Sequence, residues 1–185
     1  MKIISHKQTQ QLDVFTIENE PIASIDLMER AAQTFTNWLT AHYTPSEKKI
    51  KIVCGLGNNG GDGLAIARQL LNLNYDIEVF VLNYSDKMSD DFQKNLNRLQ
   101  NILQIRYVEN QDVKLIFTEN DLIIDAILGS GLSRPTDGLI QDIILQINES
   151  KANIISVDIA SGLFADLPNS EQDVIVKPTF TLTFQ

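Results

Sequence analysis

The sequence is poor in the residues that build disulfide staples and soft-metal centres. Among its 185 residues there is one cysteine, Cys54, and there are two histidines, His6 and His42. A single cysteine excludes an internal disulfide, and its place in an apolar, strand-like run reads as a buried structural thiol. With so few Cys and His there is no zinc set. Both histidines lie in the N-terminal helical region, far in sequence from the glycine-rich segments. Acid–base chemistry at those segments must therefore come from carboxylates, hydroxyls or water, unless the fold brings a histidine back. No apolar run is long enough to cross a bilayer. Polar residues take over after four positions, which does not read as a secretory leader, and a reducing, cytoplasmic setting fits. Repeats, low-complexity tracts and linkers are absent. Positive charge is also short: the formal net charge is -9, which repels nucleic acid and anionic membranes and otherwise serves solubility. The length suits one domain with a real core.

What is present is a regular alternation. From Ser24, a candidate N-cap after Pro21, the apolar residues Met28, Ala31, Ala32, Phe35, Trp38 and Leu39 recur at helical spacing. After them, strands are expected at 51–54, 76–82, 105–108, 122–128, 153–159 and near 180–184. Helices are expected from Gly63, from a cap at Ser89, and over 139–150. Continuous apolar strands alternating with helices predict an α/β fold, a parallel sheet covered on both faces. Ligands in such folds gather at the carboxyl ends of strands, near a switch point in strand order. The order itself is not readable.

The unusual residues fall just after three of these strands. Gly57-Asn58-Asn59-Gly60-Gly61-Asp62-Gly63 follows the first. Gly129-Ser130-Gly131-Leu132-Ser133-Arg134-Pro135 follows another, with Asp125 inside that strand, and Asp158-Ile159-Ala160-Ser161-Gly162 follows a third. If the three strands are neighbours, one crevice receives all three loops. The second loop suits phosphate, since its glycines expose amides and Arg134 is the local cation. The first contains a literal G-x-G-x-x-G, yet runs on through Gly61-Asp62-Gly63, and the following strand ends in Leu82-Asn83 where a nicotinamide-dependent fold wants an acid. Oxygen donors dominate the crevice. Asn58, Asn59, Asp62, Asp125, Asp158 and Ser161 suit a hard or monovalent cation, or only hydrogen-bond the loops into shape.

The segments NNGGDG, DAILGSGLSRP and VDIASGL, with LMERAA at 27–32, closely resemble the signatures of the NAD(P)H-hydrate epimerases, the YjeF N-terminal domain family. The resemblance implies a Rossmann-like three-layer α/β/α sandwich with N-terminal helices, a mostly parallel central sheet and a bound potassium ion (K+). It also implies an isomerase that equilibrates the R and S forms of hydrated NADH and NADPH (NAD(P)HX) at C6 of the nicotinamide ring. An ADP- or ATP-dependent dehydratase, separate or fused, then restores the coenzyme. Carried over by position, Asn58, Asn59, Gly60, Gly61 and Asp62 would line the nucleotide site. Gly129, Ser130, Gly131, Leu132, Ser133, Arg134 and Pro135 would bind the nucleotide, most of all its phosphates, and Asp158 would contact substrate. Potassium would be held by Asn59, Asp125 and Ser161. Asp158, with Asp62 second, is the expected acid/base. Ala160 stands where the family often has proline. Family members often pair through their N-terminal helices, and their last strand is followed by further residues, so the domain expected over 1–185 would be short at its C-terminal end.

Two other readings compete. Relatives of this fold serve as non-catalytic nucleotide-binding or scaffold domains. That use would tolerate loss of the Asn/Asp/Ser set, which is present here. A nicotinamide dehydrogenase is disfavoured by the missing acid and the long first loop.

Overall fold

A computed structural model describes residues 5–184. Among them, five helices and six strands alternate: α1 (His6–Asn19), α2 (Ser24–His42), β1 (Lys49–Cys54), α3 (Asn58–Asn72), β2 (Ile77–Leu82), α4 (Asp90–Leu99), β3 (Ile105–Val108), β4 (Asp121–Ala126), α5 (Gly138–Glu149), β5 (Asn153–Val157) and β6 (Phe180–Leu182). The strands form one sheet in the order β3-β2-β1-β4-β5-β6, and every neighbouring pair is parallel. This is the expected doubly wound fold.

Alternation of side chains along buried strands divides the core in two. Ile50, Ile52, Cys54, Val79, Ile124 and Val157 point to the layer formed by α2, α3 and α4. Val53, Phe80, Ile123 and Ile154 point to α5 with its Leu139, Ile143, Ile144 and Ile147. Phe35, Phe80 and Phe92 are fully buried, each contributing about 3 kcal/mol of apolar burial. Cys54 is a buried free thiol, as expected, and burial pushes its pKa up.

Two local expectations are corrected. Ser24 is not the cap of α2. Ala23 holds that position without a side-chain bond, and the Ser24 hydroxyl instead donates to Asp91 Oδ2 at 2.5 Å, tying α2 to the start of α4. Ser89 does cap α4, accepting from the Phe92 N–H. The second correction concerns 58–63, which is no extended loop. The helix begins at Asn58, and only Gly55, Leu56 and Gly57 lie between β1 and α3. The glycines explain how. A side chain at Gly60 would strike the Gly55 carbonyl, and one at Gly63 would lie 2.6 Å from the Ala126 methyl and 2.8 Å from Cys54 Sγ. These two glycines seat α3 against the sheet rather than opening the backbone to a ligand.

At the N-terminal end of the sheet, Lys51 and Asp121 form a buried ion pair at 2.9 Å. The lysine also donates to the Ile116 carbonyl. α1 begins with a reciprocal cap, Ser5 accepting from the Gln8 N–H and Gln8 accepting from the Ser5 N–H, and buries none of its side chains.

Candidate functional site

Strands β1, β4 and β5 are neighbours, so the three chemistry-bearing segments converge at their carboxyl ends. The chain winds outward in opposite directions from the β1–β4 pair, which is the switch point where such folds bind ligands.

Asp125, inside β4, is fully buried. Its Oδ1 accepts from Ser161 Oγ at 2.5 Å and from the Ile127 N–H. Its Oδ2 accepts from Ser156 Oγ at 2.7 Å and from the Ser161 N–H at 3.0 Å. Burial raises its pKa, and these four bonds oppose that rise. Ser161 Oγ also accepts from the Leu128 N–H. Asn59, in the first turn of α3, donates to the Leu128 carbonyl at 2.9 Å. Asn59, Asp125 and Ser161 are therefore joined through Leu128 into one oxygen-rich knot.

Two observations bear on a cation there. Asn59 Oδ1 is buried without a hydrogen-bond partner, and among the described residues no basic side chain pairs with Asp125. A buried carboxylate and an orphaned amide oxygen both gain from a bound positive charge. No cluster of three or more His, Cys, Asp or Glu suited to a metal occurs among the described residues. One carboxylate with amide and hydroxyl oxygens is a donor set that fits a monovalent ion.

Asp158 follows β5 and has a left-handed backbone, φ 65°, a conformation uncommon for a non-glycine residue and frequent at functional sites. The absent side chain of Gly129 leaves a space 3.6 Å from Asp158 Oδ2. Burial raises the Asp158 pKa, while the Ser130 amide and hydroxyl, and then the His6 ring, counter it. Asp62, half-buried in the first turns of α3, is driven well above the usual carboxylate range, first by burial and then by the negative charges of Asp158, Asp13 and Asp91. Asp13 is raised by burial and by Asp158.

His6 and Asp13 come from α1, seven residues apart and so on one helical face. Sequence reasoning missed both. His6 Nδ1 lies 2.9 Å from Ser130 Oγ, and its backbone N–H donates to both Asp166 oxygens, at 3.2 and 3.1 Å. The fold has brought a histidine back. The Ser5-x-x-Gln8 capping pattern was a readable signal for the start of α1, but no local signal shows where that helix docks.

The second loop divides its residues. Gly129 and Ser130 face Asp158, and Gly131 lies against the His6 ring. Leu132, Arg134 and Pro135 instead line a cavity of about 490 Å³ beside Asn83, Tyr84 and Glu109, at the ends of β2 and β3. Ser133 is exposed, as is Asn58 at the first residue of α3. Gly60 and Gly61 are buried: Gly60 packs on Gly55 and Gly61 on Met28 and Phe92, so they shape the site through packing.

Comparison with known proteins follows this geometry. A family model described as "YjeF-related protein N-terminus" matches residues 24–185. The chain belongs to this YjeF-related family. A relative called NAD(P)H-hydrate epimerase, from Limosilactobacillus fermentum, is 36% identical over 181 residues, which cover 98% of this chain and 84% of the relative. One of the same name from Oenococcus oeni is 36% identical over 171 residues, covering 90% of this chain and 77% of the relative. The bifunctional NAD(P)H-hydrate repair enzyme Nnr of Moorella thermoacetica is 33% identical over 193 aligned positions that cover all of this chain and 36% of that protein. YjeF-type domains therefore occur both alone and as one part of longer repair enzymes. The crystal structure of yeast ynu0 (YNL200c) shares the fold, with a TM-score of 0.74 over 98% of this chain and 79% of that one, at 22% identity. Matched family positions begin at Ser24, after α1. No helix among the described residues is long and apolar enough to cross a membrane.

Proposed function

We propose that this chain interconverts the R and S forms of hydrated NADH and NADPH at C6 of the nicotinamide ring. Relatives named NAD(P)H-hydrate epimerase support the reaction class. The observation that carries the mechanism is the meeting of Asp62 and Asp158 in unlike surroundings. Burial and then neighbouring like charges push Asp62 well above the usual carboxylate range, whereas burial also raises Asp158 but Ser130 and His6 oppose that rise. Two carboxyls pushed apart in this way divide acid and base roles.

Asp62 gives its proton to the C6 hydroxyl. As the C–O bond breaks and water leaves, the ring nitrogen lone pair forms the C=N bond of an iminium. Water then adds to C6 from the opposite face, its extra proton passing to Asp158, and the nitrogen regains its lone pair. Exchange of a proton between the two carboxyls through solvent resets the site, so the step is redox-neutral. The loop from Gly129 to Pro135 takes the phosphates, with Arg134 as the cation.

Potassium is the ion we assign to Asn59, Asp125 and Ser161. When bound, it supplies a fixed positive charge that balances Asp125. Asn59, Leu128 and Ser161 keep α3, the β4 loop and the β5 loop in one arrangement beneath the substrate. Pairing with a second copy is assigned to the N-terminal helices, supported by the exposed Leu12, Val14 and Phe15 of α1. The functional partner is a hydrate dehydratase, and a cytoplasmic setting suits coenzyme repair.

The test supplies (R)-NADHX, potassium and a dehydratase specific for the S form, and follows recovery of NADH absorbance. This chain accelerates recovery, and Asp158→Asn slows it by about 100-fold or more, the usual worth of acid–base catalysis. Wild-type rate in Asp158→Asn removes its role, and no acceleration by the folded wild type removes the function.

A further inference from the structure

α1 buries none of its side chains and precedes the positions matched by the family model, yet it reaches the reactive carboxyl. We propose that His6 is a positioning residue for Asp158, acting through the hydroxyl of Ser130. The inference rests on reading Asp158 as the base of the site.

The geometry is specific. His6 Nδ1 is 2.9 Å from Ser130 Oγ. Next to Ser130, Gly131 makes room for the imidazole, since a side chain there would meet the ring at 3.4 Å. The His6 backbone is held separately, by Asp166 and by the Ser5–Gln8 cap. The start of α1 is thus held by bonds that do not involve Ser130.

A hydroxyl has one proton to give. If Ser130 gives it to Asp158, its contact with His6 must run the other way, Nδ1–H donating to Oγ. His6 in that form fixes the hydroxyl rotor toward Asp158. Without it the rotor is free, and the carboxylate loses a charge-assisted bond. The groups facing Asp158 make this bond consequential. Asp13 of α1 and Asp62 of α3 both face it and feel its negative charge, and burial raises its own pKa. Ser130, from the loop after β4, and His6 are the counterweights that keep it available as a base.

The experiment follows the Asp158 carboxyl carbon by ¹³C NMR through a pH titration of the full chain. Wild type is compared with His6→Ala, His6→Asn and Asp166→Asn, and the same proteins are assayed for epimerisation. In His6→Ala the Asp158 midpoint moves up, kcat falls roughly tenfold, as for loss of one hydrogen bond to a charged group, and KM changes less than about twofold. The acidic limb of kcat follows the NMR midpoint upward. His6→Asn, whose amide occupies the Nδ1 position, stays near wild type. So does Asp166→Asn, which loosens the same helix end but not Ser130. If His6→Ala fails to fold, His6→Gln keeps the bulk and misplaces the donor. An unchanged midpoint in the folded His6 variant overturns the proposal. An equal shift in Asp166→Asn also overturns it, because His6 would then only anchor α1. If the wild type does not epimerise but the midpoint still follows His6, the functional reading falls and the coupling stands.

Discussion

Substituting Gly60 by alanine should damage both the fold and the site. An added methyl would lie 2.7 Å from the Gly55 carbonyl carbon and 3.2 Å from its nitrogen, where carbon contacts need about 3.5 Å or more. Both partners are backbone, one in the turn after β1 and the other in the first turn of α3, so no side chain can swing aside. The start of α3 must recede by about 1 Å, and a misplacement of that size near reacting groups costs about 100-fold in rate. Overpacking costs about 3 kcal/mol at its upper range, and alanine returns about 1 kcal/mol of helix propensity, leaving a loss near 2 kcal/mol. For a chain of this length that is a fall in Tm of about 4–8 °C. Thermal unfolding and the coupled epimerisation assay, run side by side, read the two effects. Gly57→Ala is the control, since nothing lies within 4 Å of its added methyl, and its Tm should stay within about 2 °C of wild type. A Gly60→Ala protein with wild-type Tm and rate would refute the account of how α3 is seated.

Replacing potassium by tetramethylammonium should lower Tm, and Asn59→Ala should abolish the difference, because the orphaned amide oxygen is then gone; differential scanning fluorimetry checks this without any activity measurement. Asp121→Asn should cost about 3 kcal/mol at pH 7, as expected for a buried pair losing one partner. Burial raises the Asp121 pKa, but the bonds from Lys51 and Thr118 outweigh it and leave it below 3.8. Its contribution is therefore complete above pH 3.8 and disappears as pH falls through the folded-state value. Denaturant titrations of both proteins should accordingly converge in acid; a constant gap would refute the charge-based reasoning.

Strands were the most legible part of the chain. IKIVC, IEVFVL and LIIDA are buried on both faces, so their side chains are apolar almost without interruption. The positions of the three chemistry-bearing segments followed from strand ends alone. The start of α3 was hidden because asparagine and glycine are weak helix formers. Tertiary contact overrides that preference here: Gly60 and Gly63 permit an approach to Gly55, Ala126 and Cys54 that no other residue would allow. With the helix starting at Asn58, the length of the first loop no longer counts against a dinucleotide turn, whereas Asn83 after β2 still does. His6 was illegible for another reason. Its partners, Ser130 and Asp166, are 124 and 160 residues away, and one exposed helix carries no pattern that says where it will rest.

The strand order has a consequence for how the molecule comes into being. β1 pairs with β4, bringing residues 49–54 against 121–126. The segment between them folds largely upon itself as α3, β2, α4 and β3. Central pairing must wait for that long loop to close, a step that slows formation of parallel sheets. Asn59 lies on one side of the closure, while Asp125, Ser130, Asp158 and Ser161 lie on the other. A partly folded chain that lacks the β1–β4 seam leaves these side chains unassembled. Regain of ligand binding during refolding therefore times the joining of the two halves of the sheet.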